Sequence, residues 1–79
     1  MSPLKRERYP MPDFIRKALE EKGLTAAYRA RPDYQQNDYV GWITRAKREA
    51  TRQKRLAQML MELEKGDVYM KMDWKKKTR

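Results

Sequence analysis

Apolar positions along this chain fall into four helically spaced groups and one alternating group. Phe14, Ile15, Ala18 and Leu19 share one face, so a helix is predicted from Pro12 or Asp13 to Gly23, with proline or aspartate opening it and glycine closing it. Leu24, Ala27 and Tyr28 fit a short second helix that ends at Arg31-Pro32 and needs tertiary support at that length. Tyr39, Trp42, Ile43 and Ala46 stand at i, i+3, i+4 and i+7, predicting a third helix from Pro32 or Asp33 to Lys47. Leu56, Met59, Leu60 and Leu63 predict a fourth from about Glu49 to Lys65, stopped by Gly66.

The phase of the last two groups carries more information. On one straight rod, at about 100° per residue, their apolar faces would point roughly 100° apart. A change of axis is therefore expected between Lys47 and Thr51. Beyond Gly66 the period changes to two: Val68, Met70, Met72 and Trp74 alternate with Tyr69, Lys71, Asp73 and Lys75. The pattern offers no second strand, so this segment is expected to lie extended against the helices, to pair with another chain, or to stay unstructured.

The resulting expectation is an all-α fold, a small bundle of three to four helices with extended N- and C-terminal tails. Residues 1–11 form the first tail, 12–66 the helical domain and 67–79 an extended or flexible basic end. The expected core is Phe14, Ile15, Leu19, Tyr28, Tyr39, Trp42, Ile43, Leu56, Leu60 and Leu63.

Composition narrows the chemistry. With 79 residues the chain holds one domain. It has no cysteine and no histidine, which removes disulfides, thiolate and imidazole metal ligands, and the usual neutral-pH base. The only serine is Ser2, and three scattered glycines build no phosphate loop. The acid pairs Glu20-Glu21 and Glu62/Glu64 diverge on a helix and read as a solvated face. No catalytic, cofactor or metal site is expected. The longest apolar runs, such as Met59-Leu60-Met61, are too short to span a membrane. Lys5, Arg6 and Arg8 are followed by Glu7 and Tyr9-Pro10 rather than an apolar stretch, so no signal peptide is read and the cytoplasm is the expected location.

Charge is the remaining signal. Twenty Lys and Arg against eleven Asp and Glu give a formal +9, which favours anionic partners or simply a solvated basic surface. The densest run is 45–55. Within it Arg48, Lys54 and Arg55 are candidate interaction residues. Arg52 falls beside the apolar stripe, where an arginine lays its stem on the core and reaches a carboxylate or helix-end carbonyls. Tyr28, Tyr39 and Trp42 have the chemistry of stacking platforms, but their spacing assigns them to the core. Met70, Met72 and Trp74 suit an adaptable docking surface with an aromatic anchor.

The order of these features resembles a known family. Pro12-Asp13-Phe14 with Ala18-Leu19, then Tyr28, Pro32, Tyr39-Val40-x-Trp42-Ile43, Ala46-Lys47, Thr51-Arg52-x-x-Arg55, Leu60, Leu63, Gly66 and Asp73-Trp74-Lys75 are similar to the bacterial YdeI/OmpD-associated family, also described as bacteriocin-protection proteins. Trp42, Thr51 and Arg52 belong to its structural motif. The chain departs from it in carrying Glu49 where relatives often have proline, and Arg31 where a serine cap precedes Pro32. The resemblance implies a helical module tied to resistance against bacteriocins or cationic peptides, and no reaction. The expected function is a non-enzymatic interaction module with a protein partner of open identity and an open oligomeric state. The alternative is nucleic-acid binding through Arg48, Lys54, Arg55 and the C-terminal lysines.

Overall fold

A computed structural model describes residues 10–74. Four helices follow one another: α1 (Asp13–Lys22), α2 (Thr25–Arg29), α3 (Asp33–Arg45) and α4 (Glu49–Lys65). A hairpin of two short strands, β1 (Val68–Tyr69) and β2 (Met72–Asp73), closes the described chain. The all-helical expectation therefore holds for everything but this hairpin. None of the described helices is long and apolar enough to cross a membrane.

Local chemistry sets the boundaries. Pro12 stands at the N-cap of α1, and its carbonyl accepts from the Ile15 and Arg16 amides. At the other end Gly23 takes φ 68°, so that its amide reaches the Glu20 carbonyl and the Leu24 amide reaches the Leu19 carbonyl. These two bonds satisfy helix-end carbonyls and seat Leu24 on Leu19 in the core. Gly66 closes α4 in the same left-handed region, its amide on the Glu62 carbonyl.

The core joins all four helices: Ile15 and Leu19 from α1, Leu24 and Tyr28 beside and in α2, Tyr39, Val40 and Ile43 from α3, and Leu56, Met59 and Leu63 from α4. The sequence pattern placed three further residues here that lie further out. Phe14 is 36% exposed, because the stripe that faces inward is centred on Ile15 and Leu19. Trp42 and Leu60 are only partly buried at the margin. Leu24, Val40 and Met59 take the interior instead.

The change of axis occurs between α3 and α4, at residues 46–48, slightly earlier than the phase argument placed it. Ala46 and Arg48 are both extended, although position 49 is glutamate and not proline. Two arginines of α4 supply the cause. Arg55 Nη1 donates to the Trp42 carbonyl at 2.7 Å, and Arg52 Nη2 donates to the Ala46 carbonyl at 3.1 Å. Carbonyls left open at the end of α3 are thus met by cations, which also suits the negative end of its dipole.

The C-terminal segment departs most from expectation. It pairs with itself in an antiparallel register, Val68 with Asp73 and Tyr69 with Met72. Met70 and Lys71 form the turn, with φ of 50° and 66°. That geometry is the two-residue hairpin turn usually built from Asn-Gly, and here it is made by two residues with side chains. The turn breaks the alternation, so Val68, Met70, Met72 and Trp74 do not share one side of a strand. Lys75 to Arg79, and the tail up to Tyr9, lie outside the described residues.

Candidate functional site

Two polar centres stand out, one under the hairpin and one where α3 meets α4. The first is built around Glu62, on the α4 turn just before Leu63. Its side chain faces α3 and the hairpin and is fully buried. Oε1 accepts from the Tyr39 hydroxyl at 2.5 Å and the Met70 amide at 2.8 Å. Oε2 accepts from the Lys71 amide at 2.9 Å and Gln58 Nε2 at 3.0 Å. Consecutive backbone amides in a left-handed turn make a concave anion receptor, and a carboxylate of the same chain fills it. These charge-assisted bonds over-determine the strained turn and hold the two positive φ values in place.

Arg31 complements it from the other side. Only 5% exposed, it donates to Gln35 Oε1 (2.9 Å), the Glu62 carbonyl (3.0 Å) and the Val68 carbonyl (2.9 Å). Its guanidinium carbon lies 4.7 Å from the centroid of the Trp74 ring. One planar cation therefore ties the start of α3, the end of α4 and β1 together. Gln35 is buried as well, its amide on the Tyr34 hydroxyl at 3.0 Å. Tyr69 packs edge-on to Tyr34 and Tyr39, and its hydroxyl donates to Asp38 Oδ2 at 2.6 Å.

Burial first, then the bond to Glu62, hold the Tyr39 phenol well above its ordinary value near 10, against smaller opposing pulls from Arg31 and the Met70 amide. Tyr69 is raised for the same leading reason, with Asp38 second. In the window above pH 10 the unfolded chain releases protons that the folded chain keeps. Stability should fall there by up to about 1.4 kcal/mol per pH unit for Tyr39, and by less for the more exposed Tyr69, with the full contribution present below pH 10. Thermal melts from pH 9 to 11.5 check this, and Tyr69→Phe should flatten the slope. A melting temperature that stays level to pH 11.5 contradicts it.

At the second centre Arg52 also pairs with Glu49 at 2.6 Å, across one turn. Arg55 lies 5.3 Å from the centroid of the Trp42 ring while it holds that residue's carbonyl. Arg52→Lys should cost about 1 kcal/mol, because a single ammonium cannot serve both Glu49 and the Ala46 carbonyl. Urea denaturation of the two proteins measures this, and equal midpoints refute it.

The candidate residues from the sequence are thus dispersed. Arg48 is the exposed N-cap of α4, and Lys54 is exposed within the next two turns. Thr51 and Arg55 are partly buried beside Lys54. Met70 is half-buried, with its amide spent on Glu62, and Met72 is 59% exposed. Trp74 lies against Arg31 and is no free anchor. Glu62, read from sequence as part of a solvated pair, is the most deeply held carboxylate among the described residues. Arg31, read as a poor cap for α3, is an internal clamp, and Pro32 carries the N-cap without a side-chain bond. Glu62 follows Met59 at i+3, so its place beside the inner face was the available signal. Among the described residues no three acidic groups gather where a metal ion could be held.

Comparison with known proteins adds one finding. Neither the curated proteins nor the solved structures include a match to this chain. A sequence profile of the family described as bacteriocin-protection, YdeI or OmpD-associated matches residues 8–66, which spans all four helices. The chain belongs to that family.

Proposed function

We propose that this domain is a non-enzymatic, cytoplasmic interaction module that protects by binding a protein partner stoichiometrically. The observation that carries this reading is the state of its buried polar groups. Each oxygen of the Glu62 carboxylate receives two donors, and the Arg31 guanidinium is spread over three acceptors, all within the chain. Groups so committed stiffen a scaffold, and the Glu62 carboxylate has no lone pair left for a substrate. The family description supplies the biological setting, protection against a bacteriocin or association with OmpD.

Purified full-length protein, titrated by calorimetry against a purified bacteriocin and against OmpD in detergent, tests the proposal. Saturable binding to one of them near one-to-one is expected. Killing assays should then show protection only when the protein is present at amounts comparable to the bacteriocin. Protection at a hundredth of that amount would indicate turnover and refute a binding role. Absence of binding to both would refute it as well.

A further inference from the structure

A hollow of about 240 Å³ on α4 is lined by Thr51, Lys54, Arg55 and Gln58. These four stand at i, i+3, i+4 and i+7 and so share one flank of the helix. No carboxylate lines the hollow. The nearest acids in sequence are engaged elsewhere, Glu49 with Arg52 and Gln53, and Glu62 beneath the hairpin. The Thr51 hydroxyl and the Lys54 ammonium make no hydrogen bond or ion pair among the described residues. Arg55 spends Nη1 on the Trp42 carbonyl, which fixes the guanidinium while leaving its other N–H groups unspent. The hollow therefore offers a hydroxyl, an ammonium and an immobilised guanidinium, a donor set suited to an oxyanion with several acceptor oxygens.

Its surroundings indicate what brings that oxyanion. The run 45–55 carries six cations, Arg45, Lys47, Arg48, Arg52, Lys54 and Arg55, against Glu49 alone. Arg48 to Gln58 extends this strip over roughly 15 Å at 1.5 Å per residue. A partner with charges repeated along its length matches such a strip. A lipid surface requires large apolar side chains beside the cations, and the helix neighbours of Lys54 are Ala50, Thr51, Ala57 and Gln58. A protein interface is built round apolar residues, and none lines the hollow. Trp42, partly buried with Arg55 over its ring, lies at the border.

We infer that the Thr51–Lys54–Arg55 hollow is a phosphate site that takes the backbone of a single-stranded nucleic acid, a binding role beyond the protein partner proposed above. Fluorescence anisotropy of a labelled twelve-nucleotide oligothymidylate with the full chain at low salt tests it. Wild-type protein should bind, and Lys54→Glu should weaken binding about tenfold and lower the salt slope. Lys17→Glu, the same charge change on an exposed position of α1, should leave affinity within about twofold. Lys54→Gln, folded by circular dichroism, should fall between wild type and Lys54→Glu. Equal losses for Lys54→Glu and Lys17→Glu would mean that net charge alone binds, and would overturn the site. Absence of oligonucleotide binding overturns it too, whether or not phosphatidylglycerol vesicles or polyglutamate bind through Lys54. Failure of this test leaves calorimetry with bacteriocin and OmpD unaffected.

Discussion

Glu62→Ala should be the most damaging single substitution in this protein, at a cost of about 3–5 kcal/mol. It strips the acceptor from a fully buried tyrosine hydroxyl, from two backbone amides and from Gln58 at once. A buried donor left without a partner costs about 1–3 kcal/mol. The four costs do not simply add, because the Met70 and Lys71 amides can turn to water once the hairpin lifts. A domain of this size has roughly 4–12 kcal/mol in total, so the variant should be unfolded in part at room temperature. Urea titration followed by far-ultraviolet circular dichroism measures the loss. Glu62→Gln should fall between, since one of its two atoms becomes a donor facing a donor. Tyr39→Phe removes a single bond and should cost about 1 kcal/mol. A Glu62→Ala variant within 1 kcal/mol of wild type would mean that the hairpin contributes no anchoring.

Arg31→Ala ranks second, at about 2–4 kcal/mol, with a different distribution of damage. Its acceptors are Gln35, the last turns of α4 and β1, so the loss concentrates where the hairpin meets the helices. Hydrogen exchange should show the amides of 67–74 losing protection while those of α1 and the middle of α4 keep it. Tryptophan emission should shift red as Trp74 loses its cation. Arg31→Lys should rescue little, because one ammonium cannot bridge three acceptors set around a planar fork. Unchanged protection in the hairpin would contradict the clamp.

These two residues also mark where sequence reasoning stops. Helix positions were legible because Ile15/Leu19, Tyr39/Ile43 and Leu56/Met59/Leu63 repeat at the helical period, and because Gly23 and Gly66 end helices by backbone geometry. The break between α3 and α4 was legible from phase alone. The position of Arg52 beside the stripe pointed to a helix-end carbonyl, and Ala46 provides it. A charged residue buried through a long-range partner leaves no such periodic mark. Glu62 meets Tyr39 across 23 positions and Arg31 meets Val68 across 37, so neither partner can be found by local spacing. The hairpin was hidden for a related reason. Met70-Lys71 lacks the Asn-Gly chemistry of its turn, which is held by a carboxylate from α4 instead.

The family match ends at Gly66, while the hairpin begins at Val68. The receptor for the hairpin, Glu62 with Arg31, lies within the matched residues 8–66, and its occupant follows them. A chain without the hairpin has no amides to surround that carboxylate. Such a chain must carry an apolar or small residue there, or leave the place open to water. Arg31, Glu62 and the hairpin are thus one physical unit, in which the loss of any member leaves polar groups of the others unpaired.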